Sequence, residues 1–102
     1  MSLGDKRRKF THAKSILIQY VIYRGWMVAE DFLKRCDACP VGHERSLHKV
    51  GLAADLNLYI DGVYIEDSRG HDELHDLWDL LGGAERIEND MNHYSFTHQG
   101  MR

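Results

Sequence analysis

Residues 71–75 read His-Asp-Glu-Leu-His, which puts two imidazoles four positions apart. On a helix that spacing presents both rings to one side, and with a Glu directly after the first His it is the zinc-peptidase arrangement H-E-x-x-H. Here Asp72 occupies the Glu position and Glu73 follows one place late, on a different helix face. Asp72 is a short substitute for the base, and a catalytic zinc also needs a third ligand. The pair borders the apolar stripe of Leu74 and Trp78, so histidines at a core edge, hydrogen-bonded to neighbours, are the simpler reading.

Cys36-Asp-Ala-Cys39 is half of a structural zinc site, but the chain holds only two cysteines, and histidines would have to complete the set. A redox role wants such a pair at a helix N-terminus after a strand. Pro40 and the irregular run 36–46 fit a surface loop instead, and these read as loop cysteines.

A third set is dispersed. His48 approaches a strand that carries Asp55 on its polar face, with Asn57 one pleat further on. A carboxylate in so apolar a strand is costly unless it is paired or bound to a cation. His93 falls on the polar face of the last strand, three residues after Asp90. Two imidazoles, one carboxylate and an open fourth position suit hydrolytic zinc, with Asp90 in reach of a water on the same metal. Each residue also has a plain alternative: Asp55 as a turn cap or the partner of Arg45, His93 as a surface strand residue.

The elements that must position these groups are legible in part. Thr11 is expected to cap a helix to about Arg24, with Ile16, Leu17, Tyr20 and Val21 inward and Gly25 as its stop. Residues 26–29 are a short strand candidate, and 30–35 a further helical turn. Asp61-Gly62 between two strand-like runs predicts a tight type I′ hairpin. On its first strand Leu52, Ala54, Leu56, Leu58 and Ile60 alternate with Asp55, Asn57 and Tyr59. A helix carrying Leu74, Leu77, Trp78 and Leu81 stops at Gly82-Gly83, and residues 92–98 form a last strand with Tyr94 and Phe96 on its apolar side. The pattern implies one domain over residues 1–102: an α+β fold with a small antiparallel sheet and flanking helices.

Composition narrows the function classes. At 43% hydrophobic residues with one Pro, the chain is globular rather than disordered. The net charge of −3 and scattered basic residues give nucleic-acid binding no support, and the run Asp5–Lys9 is expected to be a solvated tail. No stretch approaches the roughly 18 apolar residues of a membrane span. Residues 1–10 lack a signal-peptide core, so synthesis in the cytoplasm is expected.

"SLHKVGLAADLNLYIDGVYI" followed by "NDMNHYSFTHQG" resembles the zinc D-alanyl-D-alanine carboxypeptidase and phage endolysin metallopeptidase family. That family shares its fold with lysostaphin-type peptidases and the hedgehog domain. Ser46, His48, Gly51, Ala53 and Asp55 match its first motif, S-x-H-x-x-G-x-A-x-D. Asp90, His93 and Tyr94 match the second, E or D-x-x-H plus an aromatic residue. The resemblance implies zinc (Zn2+) held by His48, Asp55 and His93, with Asp90 as general base. Ser46 is then placed beside ligands or substrate, and Arg35 is the best match to an arginine that holds a substrate carboxylate. The implied function is a zinc-dependent peptidase acting on peptidoglycan peptides, either an L-alanyl-D-glutamate endopeptidase or a D,D-carboxypeptidase. It would work as a monomer, on the cell wall if a holin releases it and in the cytoplasm otherwise. The competing reading is a non-catalytic zinc-containing wall-binding or structural module of the same fold. Within either, HDELH is a coincidence of spacing.

Loop cysteines make a prediction. Replacing Cys36 and Cys39 together with Ser should leave both the thermal midpoint and the zinc content of the purified protein unchanged. Loss of metal and folding together would assign them to a structural zinc site.

Overall fold

A computed structural model describes residues 2–32, 47 and 50–102, and shows two helices and a four-stranded antiparallel sheet. The elements run α1 (Leu3–Tyr23), β1 (Met27–Glu30), β2 (Ala53–Ile60), β3 (Val63–Tyr64), α2 (His71–Leu80) and β4 (His93–Ser95). Among the described residues no helix is long and apolar enough to cross a membrane.

The first helix begins earlier than Thr11. Ser2 accepts a hydrogen bond from the Asp5 amide while the Asp5 carboxylate accepts from the Ser2 amide, a reciprocal capping box. The basic run at 5–9 is therefore helix and not tail. Phe10, Ala13, Leu17 and Val21, at spacings of three and four, form the buried stripe, so Ile16 and Tyr20 flank it rather than centre it. At the far end the amides of Gly25 and Trp26 bond the carbonyls of Ile22 and Val21, the paired bonds of a Schellman stop. Gly25 takes the left-handed φ of 77° that this stop requires. The chain then enters β1 one residue later than the expected strand. Glu30 belongs to that strand and not to a helical turn, and residues 33–35 lie outside the described ones.

β2 is the spine of the sheet. The Asp55 carbonyl accepts from the Asp31 amide on the β1 side. Leu52, Leu56 and Leu58 bond Phe96, Asn92 and Ile65 on the other side. β3 and β4 thus share one edge of β2 in succession, and β1 takes the opposite edge. Asp61 and Gly62 have φ of 52° and 78°, both positive as a type I′ turn demands, and the hairpin closes with Ile60 opposite Val63. The alternation along β2 holds: Leu52, Ala54, Leu56 and Leu58 are buried. They pack with the α1 stripe, Leu47, Leu74, Trp78 and Tyr94 into one core.

Trp78 fixes α2 to that core. Its ring meets Phe10 edge-on at 5.7 Å and Tyr94 edge-on at 5.8 Å, and lies 5.4 Å from Phe96. Its indole N–H, the one polar atom that burial would strand, donates to the Ser95 carbonyl at 2.9 Å. On α2's other flank Glu73 takes Arg24 Nε at 2.7 Å and the Tyr20 hydroxyl, linking the helices.

Gly83 lies against the Trp78 indole so closely that a Cβ there would overlap the ring. Gly83→Ala should therefore cost about 1–3 kcal/mol of stability through forced repacking, read as a lowered urea midpoint. An unchanged midpoint would show that Trp78 is not held against this turn.

Candidate functional site

The pairing of β2 with β4 sets Asp55 opposite His93. Asp55 Oδ1 and His93 Nδ1 are 3.3 Å apart, with side chains 4% and 11% exposed. One pleat on, Asn92 donates its side-chain amide to Asn57 Oδ1 at 3.1 Å, a second polar contact across the same two segments. Asp90 sits on the turn that feeds β4. Its amide donates to the Ile87 carbonyl at 3.0 Å, and its own carbonyl accepts from the His93 amide at 3.1 Å. The backbone therefore fixes Asp90 relative to His93 through one tight turn.

Of the dispersed set, the structure pairs the Asp55 and His93 side chains, while Asp90 is joined to His93 through the backbone and lines a different cleft from Asp55. His48, Ser46, Arg35 and Arg45, with Cys36 and Cys39, lie outside the described residues. Two described residues ahead of β2 are anchored. Leu47 is buried, and its carbonyl accepts from the Leu52 amide at 2.9 Å. Arg7 Nε from α1 holds the Val50 carbonyl at 2.7 Å.

The donor chemistry fits zinc. Neighbouring ligand atoms at about 2.0–2.1 Å from a tetrahedral ion stand roughly 3.3 Å apart, the separation between Asp55 and His93 here. Among the described residues no three His, Cys, Asp or Glu side chains gather as a metal site, so a zinc ion on this pair would take any further donor from beyond them.

The HDELH histidines are in the core itself, deeper than its edge: His71 is 1% exposed and His75 fully buried. His71 Nδ1 and the Tyr94 hydroxyl share a hydrogen bond of 2.6 Å. His75 donates Nε2–H to the Met91 carbonyl at 2.7 Å, and its ring stacks on Tyr94 at 4.2 Å. Burial drives His71 down to about 4, lowers His75, and raises the Tyr94 phenol, so both rings stay neutral and the phenol keeps its proton. The two histidines thus brace the residues on either side of His93, namely Met91 and Tyr94. Sequence spacing marked the pair, but its partners sit 16 and 23 residues away and only the fold reveals them.

Two clefts open nearby. The larger, of about 1100 Å3, is lined by Asp90, Asn57, Asn92 and His71 and is rich in carboxylates. A second, of about 420 Å3, has Asp55, Glu30 and Lys14 in its wall. Compared with family models, with curated proteins and with solved structures, the chain matches none.

The depressed His71 gives a pH dependence. Between about 6.5 and 4 the unfolded chain binds a proton that the folded chain refuses, so stability is full above that window and falls as pH drops through it. The loss is on the order of 3 kcal/mol. In urea unfolding from pH 7 to 4.5, His71→Gln should show a shallower decline than the wild type. Parallel declines would mean that His71 is not buried neutral.

Proposed function

We propose that the chain is a zinc metallopeptidase that hydrolyses the peptide part of bacterial peptidoglycan, with the fold of the hedgehog and D,D-peptidase group. The observation that carries this reading is the cross-strand Asp55–His93 pair, 3.3 Å apart, with Asp90 one turn ahead on the same segment. The motif resemblance supports it independently, because it selects these three residues in this order.

In this reading Asp55 and His93 hold the metal together with His48. A zinc ion held by them would supply Lewis-acid chemistry, lowering the pKa of a water towards about 7 and polarising the peptide carbonyl. Asp90 accepts the proton of the attacking water and returns it to the leaving amine. An aspartate has a shorter reach than a glutamate, so the base must be carried close by its backbone. The bond from the His93 amide to the Asp90 carbonyl ties the two residues into one turn, which supports that role. His75 and Tyr94 stiffen the same segment: the Met91 carbonyl and the Tyr94 ring are both engaged by α2, which limits the freedom of His93 between them. Ser46 and Arg35 enter as substrate contacts on the resemblance alone, Arg35 as a donor suited to a carboxylate.

The test is mass spectrometry of purified peptidoglycan incubated with zinc-loaded protein, beside Asp90→Asn. New alanine and glutamate ends indicate endopeptidase cleavage, and released alanine indicates carboxypeptidase cleavage. In either case Asp90→Asn should retain zinc while hydrolysis falls by a factor on the order of 100 or more. Full activity in that variant would remove Asp90 from its role. Zinc binding without any product from several wall types would favour a non-catalytic module.

A further inference from the structure

The outward face of the sheet carries a row of side chains that the hydrolytic reading does not use. Met27 stands opposite Tyr59 in the β1–β2 register, and Tyr59 stands opposite Tyr64 in the β2–β3 register. Residues directly opposite one another point to the same face, so the three side chains form one row across three strands. At the usual strand spacing that row is about 10 Å long, close to the length of a disaccharide. The Tyr59 and Tyr64 rings lie 5.5 Å apart, and Tyr64 and Met27 are exposed. Large apolar side chains gathered on an open face, unlike ones scattered singly, mark a binding surface.

Its composition narrows the occupant. No charged side chain belongs to the row, and one pleat on the next pair is Ala29 with Asn57. Asn57 Oδ1 is taken by Asn92 at 3.1 Å, which leaves the Asn57 N–H groups as donors at the edge of the row. A flat, uncharged group edged with hydroxyls and amides fits this surface better than an anion or an aliphatic chain. A pyranose ring is such a group. Its C–H face stacks on the electron-rich face of a phenol ring, and its edge bonds the Tyr hydroxyls and the Asn57 amide.

The row is also continuous with the candidate site. Asp55, Asn57 and Tyr59 share one face of β2, and Asn57 and Tyr64 line the same cleft as Asp90. Tyr59 is four residues from Asp55, about 13 Å along the strand. We propose that Tyr59 and Tyr64 form a shelf for an N-acetylated sugar ring of the wall glycan to which the cleaved peptide is attached. The proposal rests on the peptidase reading for the reacting end. A sugar seated there lets its extended peptide, at about 3.4 Å per residue, reach the Asp55–His93 pair within roughly four residues. The shelf thereby selects peptide still joined to glycan over free peptide.

The experiment compares a disaccharide-linked wall peptide with the same peptide stripped of its sugar, using the zinc-loaded full chain. In parallel, the zinc-free protein is titrated with the N-acetylglucosamine disaccharide while NMR follows the tyrosine rings. The sugar should lower KM by roughly tenfold with little change in kcat, the size of one good stacking contact. Tyr64→Ala should collapse the difference between the two substrates, and Tyr64→Phe, which keeps the ring, should preserve it. The disaccharide should shift the Tyr59 and Tyr64 ring resonances. Equal KM values with unmoved tyrosine resonances would overturn the sugar shelf and leave the peptidase reading in place. Shifted resonances without turnover of either substrate would do the reverse.

Discussion

A carboxylate buried in the middle of the central strand is the constraint around which this chain is built. Asp55 interrupts a run of leucines and is 4% exposed, a position that costs several kcal/mol unless a partner compensates. β4 brings that partner. Its register against β2 is set by pairs on both sides, Ala54 with Tyr94 and Ala53 with Ser95. A slip of one residue would turn His93 to the core and Tyr94 to solvent, losing the indole and imidazole contacts together. The apolar packing of Tyr94 and the polar pairing of His93 thus enforce the same alignment.

The second helix serves that alignment more than any chemistry of its own. Trp78 holds the Ser95 carbonyl, His75 the Met91 carbonyl and His71 the Tyr94 hydroxyl, so three residues of one helix face grip the segment that carries His93. Their near-complete burial keeps both imidazoles neutral, which is the form that can bond a carbonyl or phenol without a buried charge. The histidines at ligand spacing and the proposed ligands are therefore separate groups, joined through β4.

Much of the fold was legible because its signals are local. The period-two alternation from Leu52 to Ile60 and the Asp61-Gly62 turn follow from sterics that a few residues decide, and so does the stop of α2 at Gly82. The start of α1 was missed for a reason just as local: Ser2 and Asp5 form a capping box, yet the basic run after them suggested a tail. The α1 stripe was misplaced towards Ile16 and Tyr20 because Phe10 lay outside the expected helix. The depth of His71 and His75 was illegible in principle, since nothing near them in sequence reports that Tyr94 and Met91 close over them. The polar faces of the two strands and the motif resemblance suggested that Asp55 and His93 belong together, and the antiparallel register supplies the distance between them. The expected partners His48, Ser46 and Arg35 lie outside the described residues, so their part rests on motif resemblance.

Which atoms would hold the proposed zinc is read directly by X-ray absorption at the zinc edge of the zinc-loaded chain. The expected result is one zinc per chain with nitrogen and oxygen neighbours at about 2.0–2.1 Å and the multiple-scattering signature of two imidazoles. Sulfur at about 2.3 Å would assign the metal to Cys36 and Cys39, and a chain that binds no stoichiometric zinc would remove the site altogether.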